Sequence, residues 1–298
     1  MTKRLVAGVE LGGTKCICVL GGHDGALLAE EHLPTSSPAE TLARIEKVLE
    51  RWRVADRAAA LGIASFGPLE LDRNAARYGF VTRTPKPGWT GTDLAGRFKR
   101  RFGIPLAIDT DVNGAALAEG RWGAARSLSS WAYVTVGTGV GVGVIVNGAP
   151  LSGLGHVEAG HMRVARRPND DWPGACIYHG DCVEGLASGF AIEGRTGRSA
   201  ADLGADDTVW ENAAHALAAM AHNLVLTCVP QRILFGGGVM MKQPHLLDRI
   251  REALVTSLAG YGAGESITAV IEQFVAAPAL GTAAGPLGAI AIGARALR

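Results

Sequence analysis

Three glycine turns, each entered from a short apolar run, constrain this chain more than any other feature. They are Gly12-Gly13-Thr14-Lys15, Gly137-Thr138-Gly139 and Gly236-Gly237-Gly238. Glycine lets backbone N–H groups approach a ligand with no Cβ in the way, and successive N–H groups bind anions. One such turn alone is better explained as a plain hairpin. Three of them, two carrying a Thr hydroxyl able to reach phosphate or a metal-bound water, point to a nucleotide phosphate site. Glycine makes up 41 of 298 residues, about double average usage and without a collagen or low-complexity period, so its clustering carries the information.

Two familiar phosphate templates fail on spacing. Gly8 and Gly13 have the four-residue gap of a Walker A loop, but Thr14-Lys15 reverses its Lys-Ser/Thr pair. The second cluster runs Gly137, Gly139, Gly141, Gly143, so no window fits the dinucleotide Gly-x-Gly-x-x-Gly pattern.

Around the turns the chain alternates between two periods. Residues 5–9, 17–20 and 26–33 read as successive strands, and Ser37-Pro38 opens a helix with apolar positions at Leu42, Ile45, Val48, Leu49 and Trp52. A strand over 59–64 and a long irregular segment over 69–92 follow, the latter ordered by Tyr78, Phe80 and Trp89. Next come a helix near 94–102, a strand at 106–108, a helix at 112–122 and paired strands at 131–136 and 141–146. The last third reads as helix 209–228, strand 232–235, helix 246–258, strand 270–276 and an Ala-rich helix from Ala284. Hairpins followed by alternating helices and strands imply mixed sheets covered by helices. The two halves begin alike, which suggests a duplicated α/β unit with a cleft between the copies.

A formal charge of +1 excludes a nucleic-acid binder built on bulk charge, since that affinity rests on Lys and Arg neutralising phosphates. No apolar run reaches the roughly 18 residues of a membrane span, and residues 1–4 lead into a strand rather than an export signal. Five cysteines, Cys16, Cys18, Cys176, Cys182 and Cys228, favour reduced thiols or a metal site over a disulfide framework. These observations point to a soluble cytoplasmic protein without nucleic-acid or membrane partners.

Asp109-Thr110-Asp111 sits where a strand gives way to a helix, so one carboxylate can face a ligand while another caps the helix; Asp109 suits the cap. His161, Cys176, His179 and Cys182 have spacings compatible with tetrahedral Zn²⁺, although buried Cys and a surface His explain them about as well.

Glu10–Lys15, Asp109–Asn113, Val136–Gly141, Glu158-Ala159-Gly160-His161 and Phe235–Gly238 occur in the order and spacing of the ROK sugar kinases, within the actin-like ATPase superfamily. The resemblance covers almost the whole chain. Ser65-Phe66-Gly67-Pro68, Tyr78-Gly79, Thr84–Trp89 and Cys176–Gly189 look closest to the bacterial fructokinase branch. It implies an α/β fold of two actin-like (ribonuclease H-like) lobes: residues 1–116 plus 284–298, and 117–283 with a zinc loop over about 156–184. Asp111 matches the family's catalytic base, and Gly67, Thr110, Asn113, Glu158 and Glu184 match its sugar pocket. Thr110 stands where many members carry Asn. Gly12, Gly13, Thr14, Lys15, Gly137, Thr138, Gly139, Gly189, Phe190, Gly236, Gly237, Gly238, Val239 and Met240 fall at its ATP site, with Phe190 replacing a common Pro. Glu10 stands where the wider superfamily has Asp near Mg²⁺. The family's structural zinc loop assigns His161, Cys176, His179 and Cys182 to Zn²⁺. Cys16, Cys18 and Cys228 read as small core residues, and His215, His222 and His245 as packing or surface residues.

What the resemblance implies is an ATP-dependent sugar kinase, D-fructose being the expected acceptor at O6, with ATP, Mg²⁺ and Zn²⁺ as cofactors and a homodimer as the expected assembly. Kinases for glucose, mannose or an N-acetylhexosamine, and a sugar-sensing regulator, are the alternatives.

Overall fold

A computed structural model describes residues 5–297; the reading of residues 1–4 as lacking an export signal lies outside the described residues. The chain divides into two compact units, Met1–Arg126 with Pro150–His156 and Leu280–Arg298, and Ser127–Ala149 with Val157–Ala279. The helix Asp111–Trp122 packs along the final helix, Ala284–Arg295, and lies whole within unit 1.

Each unit is built on one mixed five-stranded sheet. In unit 1, β1 (Leu5–Leu11), β2 (Lys15–Gly22) and β3 (Leu27–Pro34) form an antiparallel meander, and β4 (Ala58–Ser65) and β5 (Leu106–Thr110) add in parallel beside β1. The order is β3-β2-β1-β4-β5. In unit 2, β6 (Trp131–Val136) and β7 (Val140–Val146) pair antiparallel, β8 (Ala149–Pro150) lies outside β7, and β9 (Ile233–Gly236) and β10 (Val275–Ala276) run parallel on the other side. Read from its far edge, the second sheet is β8-β7-β6-β9-β10, the same order as the first. The likeness between the two halves of the sequence thus reflects one topology used twice.

The helix Pro38–Arg51 starts where capping chemistry places it: the Ser37 hydroxyl accepts the Glu40 N–H, Pro38 fills the first turn, and Leu42, Ile45, Val48 and Leu49 are buried. The irregular segment before the helix Ala95–Phe102 is pinned by Trp89, which is fully buried and donates its indole N–H to the Ser36 carbonyl at 3.1 Å. Glycine brings the final helix onto the sheet. A Cβ at Gly62 would lie 1.9 Å from the Ala289 carbonyl, and one at Gly288 would lie 2.4 Å from the Gly114 backbone. The high glycine content is therefore spent on helix contacts as well as on turns.

One expected strand is shorter than the apolar pattern implies. Over 270–276 only Val275–Ala276 pair; Ile271–Phe274 form a helical turn that buries Phe274 and leaves Val270 exposed. The helices Val183–Ala187, Gly189–Thr196 and Gly238–Lys242 are too short to show an amphipathic period. Cys16 and Cys18 are core residues, whereas Cys228 is only half-buried at a helix end. His215 bonds the Ala165 carbonyl, His222 bonds Ser257, and His245 packs edge-on against Trp210.

Candidate active site

In unit 1, β5 delivers Asp109 and Thr110 and the helix that follows begins at Asp111. The cap belongs to Thr110 and not to Asp109: the Thr110 hydroxyl accepts the Asn113 N–H at 3.2 Å. Asp109 is still in the ladder, opposite Ala64 of β4, and so lies one residue too early to cap. Its Oδ1 accepts the Thr110 N–H at 2.8 Å and the Asn113 side-chain amide at 2.7 Å. Burial raises the Asp109 carboxyl above its ordinary range, opposed by those two hydrogen bonds and by Arg295 and His156. Asp111 turns Oδ1 back onto the Val112 N–H at 2.8 Å, which fixes the carboxylate at the first helical position.

Gly67 follows β4 at a point where a Cβ would come within 3.3 Å of the His156 ring. That ring accepts the Leu69 N–H at Nε2, 3.0 Å away. Beside Asp109 and Asn113 opens a pocket of about 130 Å³ walled by Leu71, Tyr78, His156 and Arg295.

The first glycine turn closes with Gly12 N–H donating to the Lys15 carbonyl at 3.0 Å. Thr35 donates to the Gly12 carbonyl at 2.8 Å and Lys86 to that of Gly13. Thr14 and Lys15 are exposed beside the turn. Glu10, one residue before the end of β1, has a buried Oε2 with no hydrogen-bond partner. Burial pushes its carboxyl up to about 7, and the neighbouring negative charge of Asp111 adds to the rise. A buried carboxylate oxygen with no donor suits a cation, so Glu10 could hold a magnesium ion, directly or through water.

In unit 2 the predicted nucleotide residues converge. Gly137 N–H donates to Gly139, Gly189 N–H donates to the Gly137 carbonyl at 2.7 Å, and Phe190 N–H donates to Thr138. Gly237 sits at φ +92, where a Cβ would strike the Val136 carbonyl at 2.5 Å, so only glycine fits beneath β6. A Cβ at Gly189 would touch Val239, which places the starts of the helices Gly189–Thr196 and Gly238–Lys242 side by side. Gly236 ends β9 just before them. Val239 and Met240 are buried in the core of the unit, leaving only their backbone for a ligand, whereas Phe190 is 58% exposed.

Glu184 links this turn to the cysteine loop. Its Oε2 accepts the Val140 N–H at 3.1 Å, and its Oε1 stands 4.0 Å from His161 Nδ1. Glu158 precedes the turn Ala159–His161 and accepts the His161 N–H on its carbonyl. The four ligand atoms of His161, Cys176, His179 and Cys182 lie within 4.8 Å of one another. His161 Nδ1 is 3.6 Å from both sulfurs, and Cys176 Sγ is 3.7 Å from His179 Nδ1. Tetrahedral zinc with bonds of about 2.3 Å to sulfur and about 2.05 Å to nitrogen sets that edge at about 3.6 Å. The quartet therefore fits zinc in donor type and in spacing. Burial first, with the neighbouring Cys176 sulfur and the Glu184 charge adding to it, pushes the Cys182 thiol up to about 12, the reverse of what a thiolate needs, and a bound cation overturns that order.

Two residues escape a reading of the sequence. Lys86 is tied to the Gly13 carbonyl and sits 5.6 Å over the Phe66 ring. His156 is brought beside Gly67 and onto Leu69, the latter 87 positions away. Only the fold reveals either pairing, since neither spacing forms a local pattern.

The chain is 44% identical to a fructokinase of Zymomonas mobilis, with 97% of this chain and 96% of that protein covered. It is 37% identical to a fructokinase of Pediococcus pentosaceus, with 99% of each covered. Among solved structures, a ROK hexokinase from Thermus thermophilus aligns with a TM-score of 0.80 at 28% identity, covering 98% of this chain and 99% of that one. The strand order, the glycine turns and the Cys/His quartet thus sit in a chain that matches the ROK family over residues 6–295, and the protein belongs to that family.

Proposed function

We propose that the protein is an ATP-dependent fructokinase that transfers the γ-phosphoryl group to O6 of D-fructose. The observation that carries this reading is its likeness, over nearly the whole chain, to fructokinases at 37% and 44% identity. Asp111, held by the Val112 N–H, takes the proton from the sugar hydroxyl as the oxygen attacks the γ-phosphorus and the bond to the β-phosphate oxygen breaks. In unit 2, backbone N–H groups of the turns at 137–139 and 236–238 are offered to phosphate oxygens; in unit 1, the turn at 12–14 offers its own N–H groups, with the positive charge of Lys86 beside it. Mg²⁺ carried with ATP offsets phosphate charge, and Glu10 is the carboxylate that would face it. Gly67 and Asn113 in unit 1, and Glu158 and Glu184 in unit 2, are the residues that the family motifs assign to the sugar, while the Thr110 hydroxyl is occupied by the helix cap.

Zinc on His161, Cys176, His179 and Cys182 is structural in this reading, because four protein ligands leave no open position for chemistry. Its thiolates need a reducing compartment, which favours the cytoplasm. Among the described residues no helix is long and apolar enough to cross a membrane. A homodimer is the expected assembly, checked by light scattering.

The test is a coupled ADP-release assay over fructose, mannose, glucose and N-acetylated hexoses, on the wild type and on Asp111→Asn. Loss of a general base lowers kcat by about 10²–10⁴-fold. Turnover of fructose by the wild type and its near-loss in the variant are expected. Equal activity of the two proteins removes Asp111 from the mechanism, and turnover of glucose without fructose reassigns the substrate.

A further inference from the structure

Asn113 is the third residue of the helix that begins at Asp111, and it is 2% exposed. The two ends of its side-chain amide have nearly the same shape, so hydrogen-bond partners decide which end faces which way. Here one partner settles it. Asp109 Oδ1 lies 2.7 Å from the amide nitrogen and already accepts the Thr110 N–H at 2.8 Å, so the NH₂ end faces it as a second donor. The carbonyl end is then turned away, and there Oδ1 is buried without a hydrogen-bond partner while Asn113 lines the pocket shared with Tyr78, His156 and Arg295. An acceptor left unpaired in that setting is a standing cost, removed when a donor arrives with a ligand.

We propose that Asp109 is a positioning residue for the sugar: it locks the Asn113 amide with its carbonyl toward the pocket, so that Asn113 accepts a hydrogen bond from one fructose hydroxyl. The inference rests on the fructokinase reading and adds to it a residue that need not itself touch the substrate. A carboxylate suits the task better than an amide would. Two facing amides can pair in either sense, whereas Asp109 permits one. Asp109 is itself held by the Thr110 N–H at 2.8 Å, and its place in β5 opposite Ala64 leaves it little freedom to turn.

The experiment is a double-mutant cycle read as fructose KM, ATP KM and kcat for the wild type, Asp109→Asn, Asn113→Ala and the double variant. Losing one neutral hydrogen bond corresponds to about a tenfold rise in KM. Asn113→Ala is expected to raise fructose KM about tenfold. Asp109→Asn is expected to raise it about threefold or more, with ATP KM steady and kcat falling by less than KM rises. The double variant should match Asn113→Ala alone, because Asp109 acts only through the amide. A second measurement uses deoxyfructoses: one analogue should bind the wild type about tenfold more weakly than fructose yet bind Asn113→Ala no more weakly than fructose does. Asp109→Ser, which both donates and accepts, replaces Asp109→Asn should the latter fail to fold. The proposal is overturned if Asp109→Asn leaves fructose KM unchanged, or if its effect persists in full on the Asn113→Ala background. It is also overturned if Asn113→Ala leaves KM for fructose unchanged while turnover continues. Absence of fructose turnover in the wild type would instead defeat the fructokinase reading.

Discussion

Glu10→Gln offers a test of the buried carboxyl beside Asp111. The side chain is mostly buried, its Oε2 has no hydrogen-bond partner, and its pKa moves from 4.5 up to about 7, chiefly through burial and secondarily through Asp111. A carboxyl whose folded pKa is raised favours the neutral form in the folded state. Its contribution is therefore intact below about pH 4.5, is lost as pH rises towards 7, and is constant above that. At about 1.36 kcal/mol per unit, the full cost of ionising it in the fold is about 3 kcal/mol. Roughly 1 kcal/mol of this has appeared by pH 5 and nearly all of it by pH 8. Glutamine keeps the shape and never ionises. Urea unfolding of both proteins at pH 5, 6, 7 and 8, with EDTA and without nucleotide, should show the variant gaining about 2–3 kcal/mol on the wild type between the two ends. Titrating groups that do not interact with Glu10 cancel in the difference. A gap that stays constant, or one that narrows as pH rises, would refute the claim that Glu10 is held uncharged by its surroundings.

Gly62→Ala forces a Cβ to 1.9 Å from the Ala289 carbonyl, so a loss of about 3 kcal/mol or more is expected, read as a Tm several degrees lower. Cys176→Ala removes one of the four proposed zinc ligands; the wild type should carry one zinc per chain and the variant well below one, with lower thermal stability. Lys86→Met should raise ATP KM about tenfold through loss of a charged contact at the Gly13 turn while leaving fructose KM within twofold. Unchanged ATP KM removes Lys86 from the phosphate site.

Most of the fold was legible in the sequence because each element obeys a local rule. The 3.6-residue period of Pro38–Arg51 and the turn glycines at 12–13 and 137–139 mark boundaries that the structure keeps to within one or two residues. The misplaced strand over 270–276 shows where such rules fail, since an apolar run serves equally for a short helix that buries Phe274 and for an edge strand. For the site, spacing grouped His161, Cys176, His179 and Cys182 without deciding between zinc and plain packing, and it brought Asp109 and Asp111 forward together. The register of the family motifs separated their expected roles, and spacing had no means to place the helix cap on Thr110. That choice depends on how far β5 runs before the chain turns, a matter of pairing with β4 rather than of neighbouring residues. The contacts of Lys86 with Gly13 and of His156 with Leu69 are products of tertiary structure and leave no local trace.

The packing of the helix Ala284–Arg295 against β1, β4 and the helix of Asp111 also dictates an order of events during synthesis. Unit 2 is composed entirely of residues between 127 and 279, so its core can close while the chain is still being made. The sheet of unit 1 has no such option: its covering helix follows the whole of unit 2 in the chain and so leaves the ribosome after it. Until then the strand bearing Glu10 lacks the surface it is buried against, and Asp111 lacks the support that sets it. A transcript cut short before codon 284 would thus yield a finished second unit tethered to an uncovered first sheet, a natural substrate for chaperones and proteases.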